Sequence, residues 1–210
     1  MGFQLGAIAV LLVFYGCYLG KMMAQRRQGI QTDQMGKGKA GKAKTIELTM
    51  KTATFLALAA EVISIWCNAS SMPSAMRMIG FVLAVCGDVV FIISVLTMRD
   101  SWRAGVSETE KTELVTDGIY QISRNPAFLG FDLVYLGILL MFFNGILCAV
   151  SIFPAVMFHI QIVNVEEPFL AKAFGKPYEE YKRTVNRYLG RKYKTVFPAT
   201  IITGENGLIF

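Results

Sequence analysis

A chain of 210 residues that is 54% hydrophobic and only 17% charged, with a mean hydropathy of +0.46, is poorly suited to water. Soluble domains carry roughly a quarter charged residues, so this depletion points to lipid as the solvent. The net charge of +6 does not lead to nucleic acid, because the basic residues stand between apolar blocks, where such charges set membrane topology.

Five apolar runs follow one another, at about 3–20, 52–70, 78–97, 127–144 and 146–164. A helix of roughly 20 residues crosses the hydrocarbon core, and unbroken apolar runs favour helices over barrels. The sequence therefore predicts an all-α integral membrane protein of about five transmembrane helices. The first run, Phe3 to Leu19, has neither a charged leader nor a small-residue cleavage site, and reads as a retained span. Residues 21–51 include QRRQGIQTDQMGKGKAGKAK, a basic Gly/Lys-rich stretch expected to be a flexible loop or a surface-lying segment. Asn144-Gly145 separates the last two runs and predicts a tight antiparallel hairpin. Two regions result: three N-terminal helices with their basic loop (1–97), and a second region (98–210) made of a loop (98–126), the hairpin (127–164) and an amphipathic tail (165–210).

The basic residues test this count. Segments 21–51, 98–124 and 165–210 hold 20 of the 21 Lys and Arg residues, and Arg77 is the exception. Five spans put all three segments on one side. Since positive charge stays cytoplasmic, the N-terminus is expected outside and the tail in the cytoplasm. Cys17, Cys67, Cys86 and Cys148 lie in or beside apolar blocks without C-x-x-C spacing, which suggests neither a zinc site nor a disulfide framework. Glu61, Asp88 and Asp132 interrupt apolar runs, where a carboxylate must face the bundle interior, be paired or be protonated. Glu61 and Asp88 fall at similar depth in adjacent spans and are expected to meet as interhelical glue; a proton or ion pathway is the rival reading. His159, the lone histidine, is expected to make an interhelical hydrogen bond, with a pocket-lining role as the alternative.

Two stretches carry chemistry. In TELVTDGIYQISRNPAFLG (112–130), Pro126 suits the first turn of a helix and Asn125 stands where a cap would. A helix start so placed favours an anionic group such as a carboxylate. In HIQIVNVEEPFLAKAFGKPYEEYKRTVNRYLG (159–190), Glu166 and Glu167 are adjacent, so at most one readily points inward. The tail that follows, with Tyr178, Tyr181, Lys182, Arg183 and Arg187, has the composition of an interfacial helix.

The pattern L-V-T-x-G-x-Y-x-x-x-R-[HN]-P, a two-span hairpin, and E-E-x-x-L-x-x-x-F-G-x-x-Y-x-x-Y together resemble the isoprenylcysteine carboxyl methyltransferase family. The phospholipid N-methyltransferases are similar. The resemblance covers about residues 98–190 and implies a cofactor, S-adenosylmethionine, held at the cytosolic face. It implies that Glu113, Leu114, Val115 and Tyr120 line the cofactor pocket, that Asn125, Pro126, Ala127 and Phe128 stand in for the family's His-Pro-x-Tyr segment, and that Glu166 binds the cofactor. Asn in place of His keeps a hydrogen-bonding side chain and removes titration near neutral pH. Ile162 occupies the position of an arginine that meets the substrate carboxylate in the eukaryotic prenylcysteine enzymes; Arg124, Arg183 or Arg187 would have to replace it.

The implied reaction is methyl transfer to a lipid-like or lipid-anchored acceptor among membrane lipids. For a carboxylate acceptor, an arginine such as Arg187 orients the nucleophile; for an amine, a carboxylate such as Glu167 takes a proton. The competing classes are a sterol-reductase-like oxidoreductase, whose chains are about twice as long, and a transporter or scaffold built on Glu61 and Asp88, for which no internal repeat speaks.

Overall fold

The computed structural model describes residues 1–106 and 113–192 and the backbone of 202–203. Within the expected loop and tail, 107–112, 193–201 and 204–210 lie outside the described residues. The chain is a helical bundle: α1 (Gly2–Arg27), α2 (Gly41–Trp66), α3 (Ser74–Met98), α4 (Pro126–Met141) and α5 (Gly145–Gln161), then α6 (Glu167–Phe174) and α7 (Lys176–Thr184). Among the described residues, four helical stretches are long and apolar enough to cross a membrane, Gly2–Arg27, Gly41–Trp66, Ser74–Ser101 and Gly145–Phe174. The fifth apolar helix, α4, has 16 residues and at about 1.5 Å per residue falls short of a full crossing. Leu12, Phe55, Trp66, Leu96 and Ile146 stand more than half exposed on the bundle's outside, a surface that suits hydrocarbon. This is an all-α integral membrane protein.

The partners of α4 explain how so short a helix is held. Gly80 and Gly87 on α3 face Gly137 and Gly130 on α4. A Cβ added at Gly137 would lie 2.5 Å from the Gly80 carbonyl oxygen and 2.6 Å from the Ala84 nitrogen. Backbones in contact maximise dispersion where no hydrophobic drive exists between helices in lipid. Phe14, Phe91 and Phe131 interlock beside this seam, with Phe14 4.4 Å from Phe91 and 4.6 Å from Phe131 between ring centroids. Meanwhile α5 packs chiefly on α2, so the two arms of the hairpin have different principal partners.

Asn144 starts the second arm. Its Oδ1 accepts from the Leu147 N–H at 2.9 Å, and its Nδ2 donates to Ser64 Oγ at 3.0 Å. Substituting Asn144→Ala is expected to lower stability by about 1–2 kcal/mol, the cost of a lost cap, measurable by equilibrium unfolding in mixed micelles. At the other helix start the structure corrects the sequence: Asn125 precedes α4 but caps nothing with its side chain, which instead donates to the Arg187 carbonyl oxygen at 3.0 Å. Pro126 does occupy the first turn.

The basic stretch 21–51 also differs from expectation. Helix α1 runs on to Arg27 and α2 begins at Gly41, leaving 28–40 as the loop. This loop is tied down. Gln34 N–H donates to the Ala104 carbonyl at 2.8 Å and Ala104 N–H to the Thr32 carbonyl at 2.9 Å. Gly36, Gly38 and Gly41 take φ values of +73°, +68° and +62°, a region that costs glycine nothing, and the resulting curl lets Lys39 turn back onto Glu47. The loops 28–40 and 99–106, the stretch 113–125 and the tail all gather at one end of the bundle. Arg77 marks the other end, over the rings of Phe3 and Phe142.

Glu61 and Asp88 are both buried, yet neither Glu61 oxygen nor Asp88 Oδ1 has a hydrogen-bonding partner among the described residues. The expected contact between them is therefore not made: α3 pairs with α4 and α2 with α5. His159 does not bond another span either; its Nδ1 lies 2.6 Å from the Tyr188 hydroxyl in the tail.

Candidate functional site

A cavity of about 540 Å³ opens at the end where the loops gather. Its apolar floor is built by Tyr18, Phe91, Trp102 and Phe131, the continuation of the aromatic cluster that locks α1, α3 and α4. Glu113, Leu114, Val115, Tyr120, Asn125, Ala127, Phe128 and Glu166 all line it. Of the nine residues expected to bind a cofactor, Pro126 alone does not. It is buried at the start of α4.

Each of these side chains is positioned by a local reason. Glu113–Leu114 forms a short strand, β1, paired antiparallel with β2 (Ile202–Thr203), which turns Leu114 inward and leaves Glu113 on the open side. Tyr120 sits on a 3₁₀ turn, and its carbonyl oxygen accepts from the Tyr181 hydroxyl at 2.6 Å. Burial pushes the Tyr120 phenol far up, so it stays a neutral aromatic surface. Glu166 ends a five-residue π-helical turn, Ile162–Glu166, that interrupts the passage from α5 to α6. Such turns are rare and cluster at functional sites. Ile162 itself is fully buried and is not among the residues that line the cavity.

Glu167 and Arg187 lie outside the cavity lining and grip each other. Arg187 Nε and Nη2 donate to the two Glu167 oxygens at 2.8 and 3.0 Å. Arg124 Nη2 adds a third contact at 3.0 Å, and Lys182 stands 3.8 Å away. Arg124 also donates to the Tyr178 hydroxyl at 2.9 Å and to the Val185 carbonyl at 3.1 Å. Burial raises the Tyr178 phenol to about 12, while the hydrogen bond to Glu167 raises the Arg187 guanidinium. Arg124 belongs both to this knot and to the cavity wall. The tail is thus no free interfacial helix: Tyr178 and Tyr181 are buried against Leu114 and Tyr120.

The structure adds residues from the segment 1–51, which the motif reading set aside. Tyr15, Tyr18, Asp33, Met35 and Lys51 line the cavity, with Lys51 Nζ 2.5 Å from Asp33 Oδ2. One signal for them stands in the sequence: Asp33 and Glu47 are the two acids among the eight basic residues of 21–51. The chamber's charge is mixed. Asp33, Glu113 and Glu166 face Lys51, Arg103 and Arg124, and Glu113 and Glu166 enter no ion pair among the described residues.

Fold and cavity define a multi-helix membrane protein with a chamber at one end, walled by aromatic residues and carboxylates. The model of the phospholipid methyltransferase family matches residues 52–177, more than half of the chain, and the chain belongs to that family. It is also similar to a probable protein-S-isoprenylcysteine O-methyltransferase of Oryza sativa subsp. indica, 27% identical over 110 residues, 51% of this chain and 58% of the relative. The protein-S-isoprenylcysteine O-methyltransferase of Dictyostelium discoideum is 27% identical over 136 residues, 62% of this chain and 57% of the relative. That of Saccharomyces cerevisiae is 30% identical over 109 residues, 51% and 46%. The chain spans about half the length of the curated relatives it matches.

Proposed function

We propose that the protein is an S-adenosylmethionine-dependent membrane methyltransferase acting on a lipid-like or lipid-anchored acceptor. One observation carries this reading: eight residues drawn from two stretches about forty residues apart line a single cavity, in a chain of the phospholipid methyltransferase family. The residues fit the group. Two carboxylates without ion pairs among the described residues, Glu113 and Glu166, suit a donor bearing an ammonium and a sulfonium, and the rings of Tyr120 and Phe128 suit a nucleoside. The volume lies within the roughly 300–1,000 Å³ of small-molecule pockets. Bound there, S-adenosylmethionine supplies an electrophilic methyl group.

The chain's own part is to hold two molecules close, aligned and dry, which in the best cases is worth about 7–11 kcal/mol. The reacting head of the acceptor enters beside Tyr15, Tyr18 and Phe131, while Leu19 and Phe55 on the rim are exposed to the bilayer side. Its hydrocarbon tail stays in lipid. For a carboxylate acceptor, Arg124 or Lys51 orients the nucleophile, and Arg187 acts behind Arg124 by sharing Glu167. For an amine acceptor, a cavity carboxylate such as Glu166 removes the proton; Glu167, held by two guanidinium groups outside the cavity lining, is a poor base. The names of the relatives favour a carboxylate acceptor and that of the family an amine. The site, the loops and the tail face the cytoplasm in this reading, with the N-terminus outside, because the basic residues gather at that end.

Calorimetry on detergent-solubilised protein with S-adenosylhomocysteine tests the reading. The parent protein is expected to bind, and Glu166→Ala to bind at least about tenfold more weakly, the worth of one charge-assisted hydrogen bond; Tyr120→Ala, which removes an aromatic face, is expected to weaken binding about tenfold as well. No binding by the parent, or unchanged binding by both variants, overturns it. Radiolabelled methyl transfer to farnesylated thiols and to a total lipid extract then separates the two acceptors.

A further inference from the structure

Glu47 lies near the start of α2, outside the residues matched by the family model and outside the cavity lining. It is fully buried. A carboxylate taken out of water must be compensated, and this one is held from three sides. The Gly36 N–H donates to its Oε2 at 2.6 Å, Lys39 pairs with its Oε1, and Gln161 Nε2 donates to Oε1 at 3.3 Å. Gly105 approaches so closely that a Cβ there would stand 3.2 Å from Oε1. The Gln161 side chain is fully buried too, at the last residue of α5 before the π-turn. The π-turn that begins directly after Gln161 ends at Glu166, a carboxylate on which Glu47 and Lys39 act through space.

An amide in that place can rotate, and its two ends differ in what they offer a carboxylate. Glu47 accepts from the nitrogen and thereby fixes which end is which. The carbonyl oxygen Oε1 has no partner among the described residues, so the Glu47 contact is what holds the amide in register. The chain of contacts runs from a loop curled by glycines, through Lys39 and Glu47, to Gln161 at the head of the π-turn that carries the cavity carboxylate.

We infer that Glu47 is a positioning residue: through Gln161 it orients the Glu166 carboxylate toward a cationic ligand in the cavity, making the 28–40 loop part of the donor-binding apparatus. This inference rests on the proposed role of Glu166. It assigns a function to the part of the chain that the family model leaves unmatched. Lys39 balances the buried charge of Glu47, so that the pair supplies direction without adding a second net negative charge beside Glu166.

The test is a double-mutant cycle read by S-adenosylhomocysteine affinity and by the thermal midpoint of the ligand-free protein. Glu47→Gln is expected to weaken binding about tenfold in the parent background, and to weaken it no further in a Glu166→Gln background, because a residue acting through another has nothing left to act on. Gln161→Met, which leaves the Lys39 and Gly36 contacts of Glu47 intact, is expected to reproduce the loss of affinity with a smaller drop in midpoint. Equal losses in the two backgrounds, or full affinity in Gln161→Met, overturn the positioning role while leaving the donor site standing. A parent protein that binds no S-adenosylhomocysteine instead overturns the donor reading itself.

Discussion

Replacing Gly137 by leucine is expected to prevent α3 and α4 from docking. The Cβ of any side chain there would fall 2.5 Å from the Gly80 carbonyl oxygen, 2.6 Å from the Ala84 nitrogen and 2.7 Å from the Ala84 Cβ. Two of those three atoms are backbone, so no rotamer change relieves the clash and the helices must part. Overpacking a core costs about 1–3 kcal/mol where side chains can adjust. Gly137→Ala is therefore expected at or above the top of that range, and Gly137→Leu well beyond it. Gly16 on α1 provides the contrast, since nothing lies within 4 Å of its added Cβ. Gly16→Ala is expected to be neutral or slightly stabilising, because alanine is the better helix former by roughly 1 kcal/mol. Equilibrium unfolding in mixed micelles, followed by circular dichroism, measures all three. Equal midpoints for Gly137→Ala and Gly16→Ala would contradict the close approach of the two helices.

The second large effect is expected at Glu167. Its side chain is 9% exposed and that of Arg124 6%, so Glu167→Ala strands a buried guanidinium. Breaking a buried pair from one side costs about 3–5 kcal/mol, more than the pair itself contributes. Arg187→Ala removes a partner whose side chain is 31% exposed and leaves Arg124 on Glu167; the cost is expected near 1 kcal/mol, as for partly solvated ion pairs. The order matters more than the sizes. Unfolding measurements that ranked Arg187→Ala as the more damaging would show that the knot is organised around the tail arginine. Protease cutting within 176–192 reports the same event independently, because Tyr178, Val185 and Arg187 all reach the 120–125 stretch through Arg124 and its neighbours.

Hydropathy and charge made the bundle legible. The apolar runs marked the helices to within a few residues, except where α1 and α2 extend into the basic stretch: Lys21, Lys42 and Lys44 are polar but good helix formers, and solvated ends tolerate them. The cavity residues of 113–128 and Glu166 could be named because their motifs repeat a family pattern. The divergence of Glu166 from Glu167 followed from helix geometry, though which one entered the cavity depended on the π-turn, which leaves no mark in composition. The glycine seam was equally hidden. Gly80, Gly87, Gly130 and Gly137 acquire meaning only once α3 and α4 are known to be neighbours. Asp33, Glu47 and Lys51 were passed over because a Gly/Lys-rich stretch has the composition of a solvated loop, and the bonds that place it, from Thr32 and Gln34 to Ala104 and from Gln161 to Glu47, join residues far apart in sequence.

The π-turn at Ile162–Glu166 has a consequence for what kinds of genetic change the chain tolerates. A π-turn takes one residue more than an α-turn over nearly the same rotation, so deleting a single residue among 162–165 would restore an ordinary α-helix and leave Glu166 and Glu167 facing nearly as before. Substitutions on the exposed face of this stretch, at Asn164 for example, spare both as well. Adding a further residue here has no such outlet, because the turn is already widened; it would rotate the downstream helix by about 100° and take Glu166 from the chamber and Glu167 from its arginines together. A library of one-residue changes should therefore find deletions tolerated at this turn where insertions are not. At this point the count of residues is as much an inherited character as their identity.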